Sequence, residues 1–533
     1  MSRTQRFTLA ATSLGLFMIY LDALIVNVAL PAIQLDFKVG ESGLQWVVTA
    51  YSLGMTIAMM SAGTAADIYG RRKLYLAGIA LFTAASAACG MCSSLEVLNL
   101  ARTVQGTAAA TVNVTSLALV SATFSDPKLK AWAIGIWTAI ASTAIAIGPT
   151  LGGFMVQQTG WRSIFIVNVP VGLFVVALTW FFVVESRDER PRRFDLPGQL
   201  LFILAVGAFA FAVIEGPQAG WLSGKILTLS AVAGAAVAAF IFGERRSADP
   251  MMDLMLFRDR TYSLAIITIF AVLFGTYGML LVITQYLQNV RGFSPTDAGL
   301  LLLPFSSSLM VVSLTAGKLV GVLGSRRLIL LGLASEIVGL VVLTVGLQVS
   351  TVAIGAGLLF VGGGAGLCLT PITSLAMTAV PPERAGMASG IMSVQRALGS
   401  TVGFAVLGSI LAAALTATLS AHLAGALPDP TERREVVATI IGNANPRAYS
   451  AEIGPGRPIQ HIDAATQRAI LAAADSDFVE GIRFSLATAM VLLALVLIAG
   501  FAWFPRGKGS IANTEREVHA LASEETARES PLS

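Results

Sequence analysis

Ionisable side chains that stand inside long apolar runs are the residues of this 533-residue chain best suited to chemistry. Asp22 lies in the middle of LGLFMIYLDALIVNVALP. An aspartate at the centre of a membrane helix costs about 2.5–3.5 kcal/mol on insertion scales, so it is retained for a reason. Desolvation disfavours its charged form, which suits a group that takes up and releases protons. The plainer role is a carboxylate that hydrogen-bonds neighbouring helices. Asn27 follows five residues on and either donates to Asp22 or lines the same cavity. Arg102 lies in LNLARTVQGTAAATVNVTSLAL, followed by Gln105, Gly106 and Asn113. Arginine stays charged in any plausible site, so it needs a carboxylate or a wet cavity. It is a candidate partner for Asp22, with snorkelling toward a helix end as the alternative. Glu336 and Arg396 sit in two later runs as candidate relay residues, although helix ends and small-residue packing also account for Arg396.

The elements that position these groups are membrane spans. The chain is 55% hydrophobic and 12% charged, with a mean hydropathy of +0.76, and apolar runs of spanning length recur throughout. Fourteen segments are expected, at roughly 7–33, 44–64, 74–92, 95–122, 131–157, 162–184, 197–215, 224–243, 262–289, 295–318, 327–348, 351–378, 387–418 and 482–505. The apolar start is read as the first span and not as a cleaved signal, because Asp22 and Asn27 interrupt it. Basic residues set the orientation. Arg3, Arg6, Arg71, Arg72, Lys73, Arg192, Arg193, Arg245, Arg246, Arg326 and Arg327 all fall on one side, against Lys38, Arg162, Lys225 and Arg291 on the other. Both termini are therefore expected in the cytoplasm, with a solvated outer loop over 419–481.

An internal repeat organises the spans. Gly63, Gly70, Arg72, Lys73 and Gly78 recur 254 residues later as Gly317, Gly324, Arg326, Arg327 and Gly332. VTSLAL echoes as ITSLAM at an offset of 258, which would pair Gly106 with Gly364. Two parallel six-helix halves follow, residues 1–186 and 259–505. Residues 187–258 supply linkers and two additional spans, and 506–533 a cytoplasmic tail. The expected fold is an all-α membrane protein arranged 6 + 2 + 6.

Other chemistries find little support. The net charge of +4 is dispersed, so no nucleic-acid surface is expected. Cys89 and Cys92 form a CxxC without a second ligand pair, and with Cys368 they read as packing residues. His422, His461 and His519 are too scattered for a metal cluster, and no phosphate loop, HExxH or nucleophile elbow is present. AIGPTLGG, with Gly148, Pro149, Gly152 and Gly153, is a helix bend flanked by sites of close helix approach.

These motifs resemble those of major facilitator superfamily transporters. GTAADIYGRRK resembles the signature after the second helix, although Thr64, Ala65 and Ala66 replace a bulkier residue; LARTVQG resembles the fourth-helix motif and AIGPTLGG the fifth-helix antiporter motif. LDALIVNVALPAIQ and WRSIFIVNVPVG resemble the fourteen-helix drug:proton antiporter branch. LFMIYLDALIVNVALP, GLQWVV and ADPMMDL are most similar to the actinobacterial spectinomycin/tetracycline efflux type. The resemblance implies alternating access about a midplane cavity lined by spans 1, 4, 9 and 12, in a bacterial plasma membrane. An inward proton would be exchanged for an outgoing drug, tetracycline- and spectinomycin-like molecules among them, with no cofactor and as a monomer. Asp22 and Arg102 would carry proton coupling. Gly63, Asp67, Gly70, Arg71 and Arg72 would form the cytoplasmic gate, with Asp67 reaching the start of span 13 near Gly386. Asn27, Gln105, Asn113, Tyr277 and Gln285 are the candidate cavity contacts. Export of a lipid, siderophore or other endogenous metabolite is the alternative. A respiratory ion-translocating subunit would need mid-membrane lysines, and a membrane enzyme a catalytic constellation; the sequence offers neither.

Overall fold

Side chains that accept from the free N–H groups of a first turn open many of the helices. The computed structural model describes residues 1–124, 126–187, 195–247, 250, 252, 254–380, 385–424, 433 and 464–505. Ser2 caps α1 (Arg3–Phe37) in a capping box with Gln5, and Ser94 caps α4 (Leu95–Thr123). Between them lie α2 (Glu41–Tyr69) and α3 (Arg71–Met91). The first half is completed by α5 (Pro127–Thr159), α6 (Ser163–Ile166) and α7 (Asn168–Phe182). Asp195 caps α8 (Leu196–Ala219) and Ser223 caps α9 (Gly224–Arg246). Asp259 then opens α10 (Arg260–Gln285), which continues as a π-helical turn over Tyr286–Val290. Next come α11 (Pro295–Leu301), α12 (Leu303–Leu323), α13 (Ser325–Val349) and α14 (Thr351–Thr378). The last two are α15 (Ala385–His422) and α16 (Ala464–Trp503).

A helix covers each expected segment, with the sixth broken at Val167 and the tenth at Leu302. Among the described residues, eleven helices are long and apolar enough to cross a bilayer, or twelve if the bent pair Ser42–Met59 and Ser61–Tyr69 counts as one span. The outer loop differs from expectation. α15 runs to His422 and α16 begins at Ala464, so residues 464–481 are helix. AATQRAILAAAD is rich in alanine, the strongest helix former, and the charges that suggested a loop do not prevent a helix. His422 Nδ1 lies 2.6 Å from Asp477 Oδ1 and ties the two extensions together. The rest of that loop, the charged linker at 188–194 and the tail at 506–533 lie outside the described residues.

The repeat is visible in the backbone. Gly70 and Gly324 both take left-handed conformations, with φ of +104° and +78°, at the turn between the second and third helices of each half. The Arg72 guanidinium donates to the Trp180 carbonyl at 2.7 Å, and Arg326 donates to the Phe501 carbonyl at 2.8 Å. Each arginine thereby fastens the third helix of its half to the end of the last. The second sequence echo is out of register. Gly106 lies against the Tyr51 carbonyl, and the glycine that lies against the carbonyl of Phe305, 254 positions after Tyr51, is Gly362 rather than Gly364. Gly364 instead faces the Gly332 carbonyl on α13. Glycine-rich runs contain several small residues, so string similarity alone misassigns which face packs.

The halves meet along two seams. Gly153 on α5 packs against the Pro295 backbone and Gly299 on α11 against that of Pro149, and the Thr150 hydroxyl donates to the Gly299 carbonyl at 3.2 Å. On the other seam α2 meets α15: Thr56 and Thr401 share a 3.1 Å hydrogen bond, and Ser409 donates to Gln45 at 3.2 Å. Gln288 adds a 3.0 Å bond to the Val28 carbonyl. The Gln45, Val28, Thr150 and Gly299 contacts lie toward the face where α1 ends and α2 begins. The additional helix α8 runs along the α2–α15 seam. Gln199 bonds Ser61 and the Ile57 carbonyl near one end; Ser409 donates to the Val213 carbonyl and Trp46 to Glu215 near the other.

Thr56→Cys with Thr401→Cys, in a background lacking Cys89, Cys92 and Cys368, should form a disulfide on oxidation, because the two oxygens already touch. Cross-linking shown by resistance to separation after cleavage between the halves is the expected result. Failure to cross-link would mean that α2 and α15 do not meet in this register.

Candidate functional site

Asp22 is fully buried and holds three side chains from two other helices. Its Oδ2 accepts from Arg102 Nη1 on α4 at 2.5 Å. Its Oδ1 accepts from Gln105 Nε2 and from Asn168 Nδ2, each at 2.9 Å. Ser86 on α3 accepts from Gln105 and Asn168, both at 3.0 Å, and donates to the Phe165 carbonyl at 2.9 Å. Arg102, also fully buried, donates further to Gln105 Oε1 at 2.8 Å and to the Val47 carbonyl at 3.2 Å. Its guanidinium lies 4.3 Å from the ring centroid of Tyr51. Cation, carboxylate and aromatic face together solvate one another in place of water. Protonating Asp22 would abolish the charge–charge attraction of the pair and leave only the weaker attraction of a cation for a neutral carboxyl dipole.

The sequence pointed to Asp22, Arg102 and Gln105, but assigned Gln105 to the substrate cavity, whereas here it completes the carboxylate's shell. Asn168, Ser86 and Tyr51 were not singled out. Asn168 carried a readable signal, a polar residue at the apolar sixth span beside the break at Val167. Ser86 carried none, since serine is common in membrane helices.

A second polar group lies between the halves, on the four spans expected to line a cavity and one more. Asn113 on α4 donates to the Tyr20 hydroxyl of α1 at 3.2 Å. Arg396 on α15 donates to the Thr373 hydroxyl of α14 at 2.6 Å. Tyr20 is within electrostatic reach of both Arg396 and Tyr277 on α10, and Tyr277 stands edge-on to Phe404 at 5.6 Å. Tyr20, Asn113, Tyr277, Thr373 and Arg396 are half-buried. Asn27 and Gln285 are instead buried, and Asn27 donates to the Leu24 carbonyl of its own helix at 3.2 Å.

At the α2–α3 turn, Asp67 Oδ1 accepts from Arg71 Nη2 at 2.9 Å. A residue not foreseen, Glu185, caps α3: its oxygens accept from the backbone N–H of Arg72 at 2.9 Å and of Lys73 at 3.2 Å. A carboxylate there also meets the positive end of the helix dipole. Gly70 leaves room for it, since a Cβ would run into the Glu185 carboxyl group. Gly63 faces Val114 in ordinary contact. The expected Asp67 partner at the start of span 13 falls at 381–384 and at the side chains of 385–387, outside the described residues. In the fifth-helix motif, Gly148 lies against Leu21 and Leu24, and Gly152 against Ile25, which places α5 directly on α1 beside Asp22. Cys92 donates to the Cys89 carbonyl at 3.1 Å, both cysteines are buried, and no metal-binding cluster occurs among the described residues.

Residues 12–404 match the family described as Major Facilitator Superfamily. The chain is 58% identical over 506 residues to "Multidrug resistance protein Stp" of Mycobacterium tuberculosis, covering 95% of this chain and 93% of that one. It is 44% identical to "Drug efflux pump JefA" of the same organism, covering 96% and 100%. It is 31% identical to "Tetracenomycin C resistance and export protein" of Streptomyces glaucescens, covering 91% and 90%. Among solved structures, a bacterial homolog of the human lysosomal transporter Spinster, described as inward-facing, matches with a TM-score of 0.63 at 16% identity, covering 95% and 100%.

Arg102→Ala should destabilise the protein by about 3–5 kcal/mol, because it strands a buried carboxylate. Asp22→Asn with Arg102→Gln, which removes both charges, should restore much of that loss. Unfolding in detergent followed by tryptophan fluorescence checks both, and additive losses would mean that the two residues are not a coupled pair.

Proposed function

The chain belongs to the Major Facilitator Superfamily and is a multi-pass membrane transporter, not an enzyme; from that footing we propose that it exports drugs across the bacterial plasma membrane in exchange for protons. The observation that carries the reading is the buried Asp22–Arg102 pair, whose attraction depends on one exchangeable proton. The relatives' names point to the cargo class, drugs and antibiotics, for which tetracycline- and spectinomycin-like molecules are the finer expectation. Fourteen spans, arranged 6 + 2 + 6 with cytoplasmic termini and acting as a monomer, are the topology assumed.

On this reading the face at which the halves touch, through Gly153, Gly299, Gln45 and Gln288, is the outer one. The structure then corresponds to an inward-facing state. A drug enters the seam near Tyr20, Asn113, Tyr277, Thr373 and Arg396. When Asp22 takes a proton at Oδ2, Arg102 loses its carboxylate partner and keeps Gln105 Oε1, the Val47 carbonyl and the Tyr51 ring. α1 is then less tightly bound to α4 and free to shift against α5. At the cytoplasmic side Asp67, Arg71, Arg72 and Glu185 set the α2–α3 turn that must close when the outer seam opens. A second reading, export of a metabolite made by the cell itself, is favoured by the relative whose name joins resistance to export of tetracenomycin C.

Asp22→Asn keeps the shape of the side chain and removes the proton. Membrane insertion should be normal, while ethidium efflux from vesicles with an imposed pH gradient should fall to the leak rate. Undiminished proton-driven efflux would remove Asp22 from coupling. Topology is checked with an impermeant thiol reagent on intact cells, in a cysteine-free background. A cysteine in place of Ser2 should be shielded and one in place of Asn443 labelled; the opposite pattern would overturn the assumed orientation.

A further inference from the structure

Glu336 is a buried carboxyl group that the Asp22 reading leaves unused. It sits inside the second half on α13 and is fully buried. Oε1 accepts from the Thr276 hydroxyl on α10 at 3.0 Å, and Oε2 has no hydrogen-bond partner. The groups that face it are few. From α10 come Gly275 and Thr276 and from α14 Gly364 and the Cys368 thiol, while Ala489 and Leu493 of α16 pack against Gly275 beside it. Cys368 is itself turned to the Ile329 carbonyl at 3.3 Å. On α15, which also packs on α10, Arg396 is engaged with Thr373. No cation pairs with Glu336 among the described residues. A bare carboxylate in such surroundings has one hydroxyl donor where Asp22 has a cation and two amides. The resting form that fits is the neutral acid, with Oε1 as the carbonyl that accepts from Thr276 and the proton on Oε2.

The place in the fold is telling. Shifting α1 by the repeat of 254 residues puts Asp22 on Thr276. The same shift takes Ser86 on α3 to Leu340 on α13, one helical turn from Glu336. The glycine contacts set α4 on α14 at 256 residues, as Gly106 on Gly362, so Arg102 falls on Leu358. The second half therefore keeps a carboxyl group at the junction of its first and third helices, and has discarded the arginine.

We infer that Glu336, held by Thr276, is a second proton-binding site, the counterpart in the second half of Asp22 in the first. The proton enters on Oε2 and leaves from it, with no other bond made or broken. The unpaired acid and the ion pair would then bind protons under different conditions, one per half. This inference rests on the reading of the protein as a proton-coupled exporter, and its test separates the two.

The full chain, purified and reconstituted in lipid, is titrated while the infrared absorption of protonated carboxyl groups is recorded. Glu336→Gln should delete one band that appears and disappears with pH. Asp22→Asn should delete a different one. Thr276→Val should shift the frequency and midpoint of the Glu336 band, because the hydrogen bond to Oε1 is lost. If Glu336→Gln removes no titrating band, whether the residue is never protonated or protonated throughout, the inference is overturned. If Glu336→Gln fails to fold, Thr276→Val decides, and an unmoved spectrum overturns the inference. If Asp22→Asn alone deletes no titrating band, the proposed role of Asp22 fails while that of Glu336 stands.

Discussion

A charge enclosed by packed side chains within this bundle survives only if the protein itself supplies its solvation. The Asp22–Arg102 pair is where that constraint is met most completely. Arg102 cannot lose its charge, so its surroundings must hold a negative group, an acceptor for each N–H it points inward, or an aromatic face. Val47 supplies a carbonyl from α2, Gln105 an amide oxygen, and Tyr51 a ring. To reach the α2 carbonyl, α4 must lie against α2 almost backbone to backbone. Gly54 and Gly106 make this possible, since a Cβ at either would enter a facing carbonyl. Asn168 and Ser86 draw in α7 and α3 by the same logic. The packing of the first half is thus organised around the needs of one guanidinium and one carboxylate.

The pair lies close to the contact between the halves. Asp22 is three residues from Ile25, on which Gly152 of α5 rests, and the next glycine of α5, Gly153, touches the Pro295 backbone of α11. If α1 rotates on protonation of Asp22, as the proposed exchange requires, the surface it offers to α5 changes, and with it the fit of α5 against the other half. Val28, one turn further along α1, accepts from Gln288 of the second half and offers a direct route as well. These are contiguous contacts through small residues, where a fraction of an ångström alters packing. Asp22 and the seam are thereby joined by direct packing rather than being distant features.

Much of this arrangement was legible in the sequence because membrane chemistry leaves strong marks. Apolar runs gave the helices, and Asp22 and Arg102 stood out because charges within such runs are rare. Glycine at 70 and 324 announced the repeated turn, and both take positive φ. What the sequence hid was partnership. Glu185 lies more than a hundred residues from the α3 N-terminus that it caps, in a linker where charge is ordinary. Ser86 and Asn168 are small polar residues of a kind that often bonds only its own helix. Gln105 was read as a cavity residue because its polarity was visible and its direction was not. The Gly106–Gly364 correspondence failed because several glycines in VGGGAG satisfy the same pattern, and only the carbonyl each one faces tells them apart. The extension of α16 to Ala464 was missed because a polar helix beyond the bilayer resembles a loop in hydropathy.

The two halves share a backbone and differ in what they bury. Positions whose role is geometric repeat: the turn glycines, the arginines that grip the last helix, the glycines that admit a neighbouring carbonyl. Positions whose role is electrostatic do not. Asp67 gives way to Gly321, Arg102 to Leu358 and Asp22 to Thr276, under the register set by the turns and glycine contacts. Geometry must be duplicated because both halves have to pivot on similar hinges. An ion pair need not be duplicated, since each additional buried charge adds desolvation cost without improving the pivot. On the proposed proton coupling, the first half, tied together by charge, would loosen when a proton arrives. In the second half the buried Glu336 pairs with no cation among the described residues, so it has no matching tie to lose at that junction. Under the proposed proton exchange, halves built alike but responding differently to the same proton would convert proton entry into a relative motion, because identical responses would move both sides of the seam together.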